Sequence, residues 1–187
     1  MNNNKLKEFS QSTEALIARH KTKLSSEMSP NKSKTTKWVI FDLDGTLALI
    51  DERRAFSAKS NGKIDWDKFF APENIQMDKP NNPVIEMAKS LSETGHNIAI
   101  FSGRSVATIL ETKQWLADNG VKFDLIRMRP TNHPFKFMPD EKLKSDWFDE
   151  EFPNKSDVLC VFDDRNKVVK MWRDKGISVM HVAEGDF

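Results

Sequence analysis

Several features are scarce in this chain of 187 residues. It holds a single cysteine, Cys160. No internal disulfide can form, and a reducing compartment is expected. No apolar run approaches the roughly 18 residues that a membrane-spanning helix needs, and the first residues lack the continuous apolar stretch of a secretory signal. A cytoplasmic protein is therefore expected. No GxxxxGK[ST] occurs, so nothing points to a nucleotide-binding P-loop. There are no internal repeats. Excess charge is missing too: 29 Lys/Arg stand against 28 Asp/Glu, a net charge of +1, and the total singles out no class of partner.

What is present is uneven. Residues 1–37 carry eight Lys/Arg against three Glu, about +5, which leaves about −4 for the rest. Two parts are expected: a basic extension over residues 1–36 and a folded domain over residues 37–187. In the extension, Leu6, Phe9, Leu16 and Ile17 fit a weak amphipathic helix to about Leu24, followed by the linker-like "SSEMSPNKSKTTK". The extension reads as a flexible or helical tail, or as a basic tether to a partner or nucleic acid.

From Lys37 onward, strand and helix patterns alternate. The apolar runs 38–42, 97–102, 123–128, 158–163 and 178–183 are short, as in strands covered on both faces. Between most of them lie helical patterns. "NNPVIEMAKSLSETG" has Val84, Met87, Ala88 and Leu91 on one stripe, and "SVATILETKQWLADNG" has Val106, Ile109, Leu110 and Leu116. "DEKLKSDWFDEEF" is a third helix, and "NKVVKMWRDKG" a fourth with Val168, Met171 and Trp172 inward. Gly95, Gly120 and Gly176 are stop signals. Repeated βα units with short loops predict an α/β three-layer sandwich with a parallel, Rossmann-like sheet.

In such sheets chemistry gathers beyond the carboxyl ends of the strands. The first strand ends in Asp42-Leu43-Asp44-Gly45-Thr46, the second in Ser102-Gly103-Arg104, the fourth in Asp163-Asp164-Arg165. A cluster of buried acids is costly unless a cation is present. Carboxylate and carbonyl oxygens suit Mg²⁺, which keeps positions free for water and a phosphate. Gly45 lets the chain turn at once, so that one aspartate faces metal and phosphorus while the other faces a leaving group. One carboxylate can then attack phosphorus, and the second can act as acid and then as base. Ser102 and the amides after it, Gly103 first, would bind phosphoryl oxygens at a helix start, and a lysine would offset the developing charge.

These motifs carry a resemblance. "FDLDGT", "FSGR" and "FDDR" resemble the first, second and fourth motifs of haloacid-dehalogenase-type (HAD) phosphatases. Over roughly residues 37–187, "FDDRNKVVKMWRDKGISVMHVAEGDF", Arg53 and "PDEKLK" are most similar to the 3′-phosphatase domain of bacteriophage polynucleotide kinase–phosphatase. The resemblance implies Asp42 as nucleophile and metal ligand. It implies Asp44 as general acid/base, with a metal-ligating carbonyl. Asp164 is implied as a direct metal ligand, with Asp163 beside it. Ser102 and Arg104 are implied as phosphate contacts beside Thr46 and Gly103, Arg53 as a substrate-side arginine, and Asp140 as the acid four residues before the third-motif lysine. That lysine is Lys144, with Lys142 as its rival. The implied cofactor is Mg²⁺, and the implied reaction is phosphomonoester hydrolysis through an aspartyl-phosphate.

The sequence also departs from the resemblance. Nothing in it resembles the kinase half of the phage enzyme, and "MRPTNHPFKFMPDEK" lacks a more basic run. A polynucleotide 3′-phosphate is the favoured substrate. A phosphatase for free nucleotides or other small phosphates, and a non-catalytic binder of phosphorylated ends, are the alternatives. About 35 residues separate Leu47 from the helix near Asn82. That is room for a flap and not a cap domain. Asn61-Gly62 predicts a two-residue hairpin turn within it, with Arg53, Arg54, Lys59 and Lys63 as a basic face. Phe56 and Trp66 read either as flap packing or as a base-stacking surface. Arg165 reads as structural, Cys160 as core, and His20, His96, His133 and His181 as surface or core residues without ligand spacing.

Overall fold

The computed structural model describes residues 36–132 and 137–185. The basic extension up to residue 35, with its expected helix and His20, lies outside the described residues, as does His133. Among the described residues no helix is long and apolar enough to cross a membrane.

The chain opens with β1 (Trp38–Phe41), in which Val39, Ile40 and Phe41 are fully buried. A strand apolar on both faces belongs in the middle of a covered sheet. β1 indeed lies between β4 (Asn97–Ser105) and β6 (Val158–Arg165), with β5 (Leu125–Arg129) and β7 (Val179–Gly185) outside them. The five strands are parallel, in the order β5-β4-β1-β6-β7. All five expected strands are present. The order reverses around β1, which makes its carboxyl end the switch point of the sheet.

Two-residue alternation divides the core. Val39 and Phe41 pack with Ile98, Ile100, Cys160 and Phe162 under α3 (Asn82–Glu93) and α4 (Ile109–Asp118). Ile40 packs with Ala99, Phe101 and Val161 under α5 (Asp140–Glu151) and α6 (Asn166–Asp174). Phe101, Phe148 and Trp172 anchor the second layer, and burying each such side chain is worth roughly 1.5–3 kcal/mol.

Two helix stripes differ from expectation. In α3 the buried positions are Val84, Ile85 and Ala88, while Met87 is exposed. In α4 they are Thr112, Trp115 and Leu116, while Val106 and Leu110 are exposed. A 3₁₀ turn over Val106–Thr108 precedes α4. Three residues per turn rotate the following helix away from the phase that an uninterrupted α-helix would have.

The flap is more helical than expected. β2 (Ala48–Leu49) and β3 (Lys79–Pro80) pair antiparallel at its base. Between them lie α1 (Asp51–Phe56), α2 (Trp66–Phe69) and a 3₁₀ turn over Pro72–Met77. The turn at Asn61-Gly62 holds three residues and not the expected two: Gly62 N–H donates to the Lys59 carbonyl at 2.9 Å and Lys59 N–H to the Lys63 carbonyl at 2.8 Å, only Gly62 takes a positive φ (+77°), and the hairpin is reduced to the single bridge Ala58–Ile64. The Asp65 side chain ends that hairpin by accepting from Lys68 N–H and starting α2.

Candidate active site

Phe41 is in register with Ile100 and Phe162, and the Asp42 N–H donates to the Phe162 carbonyl at 2.9 Å. This register sets Asp42 beside Asp163 and Asp164 at the end of β6. Oxygens of the three acids lie within 4.8 Å of one another, and all three residues are buried. Lys144, on the first turns of α5, reaches into the cluster. Its Nζ donates to Asp42 Oδ1 at 2.6 Å and to Asp163 Oδ2 at 2.8 Å. Lys142 is exposed and pairs with Asp146, so the structure brings Lys144 and not its rival to the acids.

Charge counting separates this cluster from its surroundings. Three carboxylates against one ammonium leave −2 in buried surroundings. Burial drives the Asp42 carboxyl well above the ordinary range; Lys144 opposes this, and Asp163 and Asp164 reinforce it. Burial, then Asp163, pushes Asp164 up to about 6. Lys144 is held protonated above its ordinary range, since Asp163 and Asp42 outweigh its burial. A divalent cation would balance this set, and hard oxygen donors are the ligands such a cation takes. Asp163 has its Oδ2 engaged by Lys144 and its Oδ1 by Arg165 N–H at 3.2 Å. Asp164 accepts only from Thr46 Oγ1 at 3.2 Å among the described side chains. That asymmetry favours Asp164 as the direct ligand and Asp163 as its support.

Gly45 makes the turn possible. It sits at φ +91°, and a Cβ there would stand 2.1 Å from Asp164 Oδ2. Thr46 is fully buried against Asp164 and holds the acid rather than facing the crevice.

Asp44 stands in a different environment. Arg53 Nη2 and Arg104 Nε donate to its Oδ1 at 2.8 and 2.7 Å. The same two guanidiniums bind Asp78: Arg53 Nε at 2.8 Å and Arg104 Nη2 at 2.5 Å. Two acids and two bases make this ring neutral without a cation. Burial pulls the Asp44 carboxyl up, but Arg104 and Arg53 outweigh it and hold the group below the ordinary range. Burial, then the Asp44 charge, raises Asp78 to about 6. The two motif aspartates, Asp42 and Asp44, are thus pushed in opposite directions.

This arrangement revises two expectations. Arg53 and Arg104, expected on the substrate side, are both fully buried. Arg53 also donates from Nη1 to the Phe69 carbonyl, and its guanidinium lies 4.0 Å over the Phe69 ring. The ring's polar contacts fix Asp44 and leave the arginines no face on the crevice. The basic face expected on the flap accordingly loses Arg53; Arg54 lines the crevice, whereas Lys59 pairs with Asp65 at 3.6 Å.

The second motif is also placed differently. Ser102 is fully buried within β4, where its Oγ accepts from Arg104 N–H at 3.2 Å. β4 runs on to Ser105 through a register shift, so the amides after Ser102 are not at a helix start. Gly103 does line the crevice, and a Cβ on it would meet Asp140 Oδ1 at 2.9 Å. Asp140 is gripped by Arg129 and Arg165, and Arg129 Nε also donates to the Gly103 carbonyl at 3.1 Å. Asp140 is thus a strut between the second and third motifs.

Sequence reading missed Asp78 and Arg129. Asp78 lies in "QMDKP", between a 3₁₀ turn and β3, with no motif around it. Its one signal is an acid that interrupts the run-up to a helix cap. Arg129 ends β5, but Arg127 already stands mid-strand, so a charge there carries no strand-end signal of the kind Asp42 gives. Of the histidines, His96 faces the Lys37 carbonyl, whereas His181 Nε2 lies 2.9 Å from the Asp164 carbonyl.

Above these groups opens a crevice of about 1050 Å³. Asp42, Asp44, Lys144 and Asp164 lie on its walls with the aromatic residues Trp66, Phe69 and Phe70 of the flap.

Known proteins resemble this chain in sequence and in fold. A protein of Autographa californica nuclear polyhedrosis virus, described as a bifunctional polynucleotide kinase/RNA ligase, is 33% identical over 147 residues. The match covers 78% of this chain and 19% of the viral protein. A chain in the structure of the Pnkp1/Rnl/Hen1 RNA repair complex is 34% identical with a TM-score of 0.66, over 83% of this chain and 45% of that one. The chain thus spans less than half the length of either relative. A crystal structure described as that of a phosphatase from Clostridium difficile shares the fold at 16% identity, with a TM-score of 0.59 over 82% of this chain and 88% of the other. The family model for the polynucleotide kinase PNKP phosphatase domain matches residues 36–187, and the chain belongs to that family of HAD-type phosphatase domains.

Proposed function

We propose that this domain hydrolyses the terminal 3′-phosphate of a polynucleotide with Mg²⁺ bound among Asp42, Asp163 and Asp164. The observation that carries the reading is the charge deficit: a buried set of three acids and one lysine, two charges short of neutrality, set beside a neutral ring that holds a second aspartate ready.

Lys144 occupies Oδ1 of Asp42. The other oxygen is then the nucleophile: a bond forms between Asp42 Oδ2 and phosphorus as the bond from phosphorus to the leaving oxygen breaks. Asp44, fixed through Oδ1 by Arg53 and Arg104 and ionised in the free site, takes a proton from solvent water on Oδ2 when the phosphate dianion arrives beside it, and delivers that proton to the leaving oxygen. The arginines favour the ionised form of Asp44, so that after this transfer it is a ready base. It takes a proton from the water that attacks the aspartyl-phosphate, and inorganic phosphate and the Asp42 carboxylate are released. Lys144 and Gly103, which line the crevice, would meet the phosphoryl oxygens. A bound Mg²⁺ would supply positive charge against the phosphoryl oxygens and keep Asp42 ionised.

The polynucleotide substrate rests on the family, on the two relatives' descriptions and on the open crevice. No cap domain closes it among the described residues, and Arg54, Arg165 and Lys167 lie along it. The basic extension over residues 1–36 would add contacts to a nucleic acid or a partner.

The test is phosphate release from a 3′-phosphorylated oligonucleotide, its 5′-phosphorylated isomer, 3′-mononucleotides and an aryl phosphate, each with Mg²⁺ and with EDTA. Preference for the 3′-phosphorylated oligonucleotide is expected. Equal kcat/KM on the mononucleotide and the oligonucleotide would favour the small-phosphate alternative. Tight binding without release would favour a binder.

A further inference from the structure

The flap carries an aromatic surface that none of the chemistry above uses. Trp66 is 54% exposed and lines the crevice. Its ring stacks on Phe70 with centroids 5.8 Å apart and planes at 20°, and it meets the buried Phe69 edge-on at 5.6 Å. Phe69 and Phe70 are themselves perpendicular at 5.0 Å. The shelf is held from below. Asp65 caps α2, and Asn74 Nδ2 donates to the Lys68 carbonyl at 2.7 Å. Arg53 binds the Phe69 carbonyl at 3.1 Å while its other nitrogens hold Asp44 and Asp78.

A single guanidinium therefore spans the back of the shelf and the aspartate beside the reacting phosphate. A large indole left half in water normally loses the gain of burial. Here it is instead supported on two rings and turned to a cavity far larger than a phosphate. Flat apolar faces next to an anion site suit a ligand that joins a phosphate to a planar ring system.

We propose that Trp66, backed by Phe70, is the stacking subsite for the nucleobase of the 3′-terminal nucleotide, and that Arg53 ties its position to Asp44. The proposal rests on the polynucleotide reading above. Stacking on an aromatic face is tolerant of base identity, so the subsite selects for the presence of a base rather than for sequence.

The experiment compares two 3′-phosphorylated oligonucleotides, one with an intact terminal nucleotide and one whose terminal nucleotide is abasic, on the wild-type chain, Trp66→Ala and Trp66→Phe. Alanine replacement of a stacking ring costs about 1–3 kcal/mol per base, so the wild type should prefer the intact end by at least about fivefold in kcat/KM. Trp66→Ala should bring that ratio close to one, and Trp66→Phe should restore most of it. A wild-type ratio near one, or a ratio that Trp66→Ala leaves unchanged while both rates fall together, would overturn the subsite. Hydrolysis of the aryl phosphate with no turnover of either oligonucleotide would remove the polynucleotide reading, and the subsite with it.

Discussion

Arg53 and Arg104 converge on one oxygen: both donate to Oδ1 of Asp44, at 2.8 and 2.7 Å, from positions 51 residues apart in the chain. Among the described residues no donor reaches Oδ2, and the Asp44 side chain keeps 17% of its surface exposed. The free oxygen is thus selected by tying down the other.

Arg53→Ala should therefore act on proton delivery. It removes one of two cations from a ring with two buried acids, and breaking a buried pair costs about 3–5 kcal/mol. The melting temperature should fall. In single-turnover measurements, release should slow more for an alkyl phosphate, whose leaving oxygen needs the proton, than for an aryl phosphate. Equal slowing of both would leave Arg53 with a structural role alone.

Asp42→Asn separates stability from activity. The amide is a far poorer nucleophile, and turnover should fall by at least about a thousandfold. The same change removes a carboxylate that burial and two neighbouring acids disfavour. In EDTA the variant should therefore melt no lower than the wild type, although Lys144 loses one of its two acids. A clear drop in the EDTA melting temperature would contradict the charge count at this cluster.

The sheet and its acids were legible because each is a local statement. An apolar run that ends in an acid says both "strand" and "strand end", as in "WVIFD" and "VLCVFDD". The neutral ring was not legible. Asp78 meets Arg53 and Arg104 only after the chain has folded across 25 and 26 residues. Nothing local distinguishes an arginine that meets a phosphate from one that meets a buried acid. The α4 stripe departs from the pattern for another reason: the 3₁₀ turn that shifts its phase leaves no mark in the hydrophobic pattern. Asn61-Gly62 does mark a turn, but the loop holds three residues and not two, with positive φ at Gly62 alone, and the Asp65 cap that follows cuts the hairpin to one bridge; the dipeptide shows neither.

Two glycines make a matched pair. Gly45 at φ +91° and Gly62 at φ +77° both pay a similar backbone penalty as alanine, roughly 1–2 kcal/mol. Gly62 has open space around its would-be Cβ, whereas Gly45 has Asp164 Oδ2 at 2.1 Å. Gly62→Ala should lower the melting temperature slightly and keep activity. Gly45→Ala should lower it more and abolish activity. Similar behaviour of the two variants would mean that the close approach of Gly45 to Asp164 is not a constraint.

Cys160 offers a report on β6 beneath the site. It is buried mid-strand, and burial pushes its thiol above the ordinary range. A raised thiol is mostly protonated at pH 8, so labelling in the native state should be slow and should still be rising between pH 8 and pH 9. Unfolding should release one fast-reacting thiol with ordinary behaviour. Fast native labelling at pH 8 would show that β6 opens readily.

The charge deficit at Asp42, Asp163 and Asp164 makes a prediction that needs no substrate. A cation that binds only the folded chain stabilises it by mass action, about 2.7 kcal/mol at one hundred times its dissociation constant. For a domain of this size each kcal/mol moves the melting temperature by about 2–4 °C, so saturating Mg²⁺ should raise it by about 5–10 °C over EDTA. Asp164→Asn removes the acid with an uncommitted oxygen and should lose that gain while still folding. Asp146→Asn, an exposed acid paired with Lys142, should keep it. The Asp44 ring is neutral already, so Asp78→Asn should lower stability in EDTA and in Mg²⁺ alike, with the difference between the two conditions preserved. A Mg²⁺ gain that survives Asp164→Asn, or is absent from the wild type, would place the cation elsewhere or remove it from the mechanism.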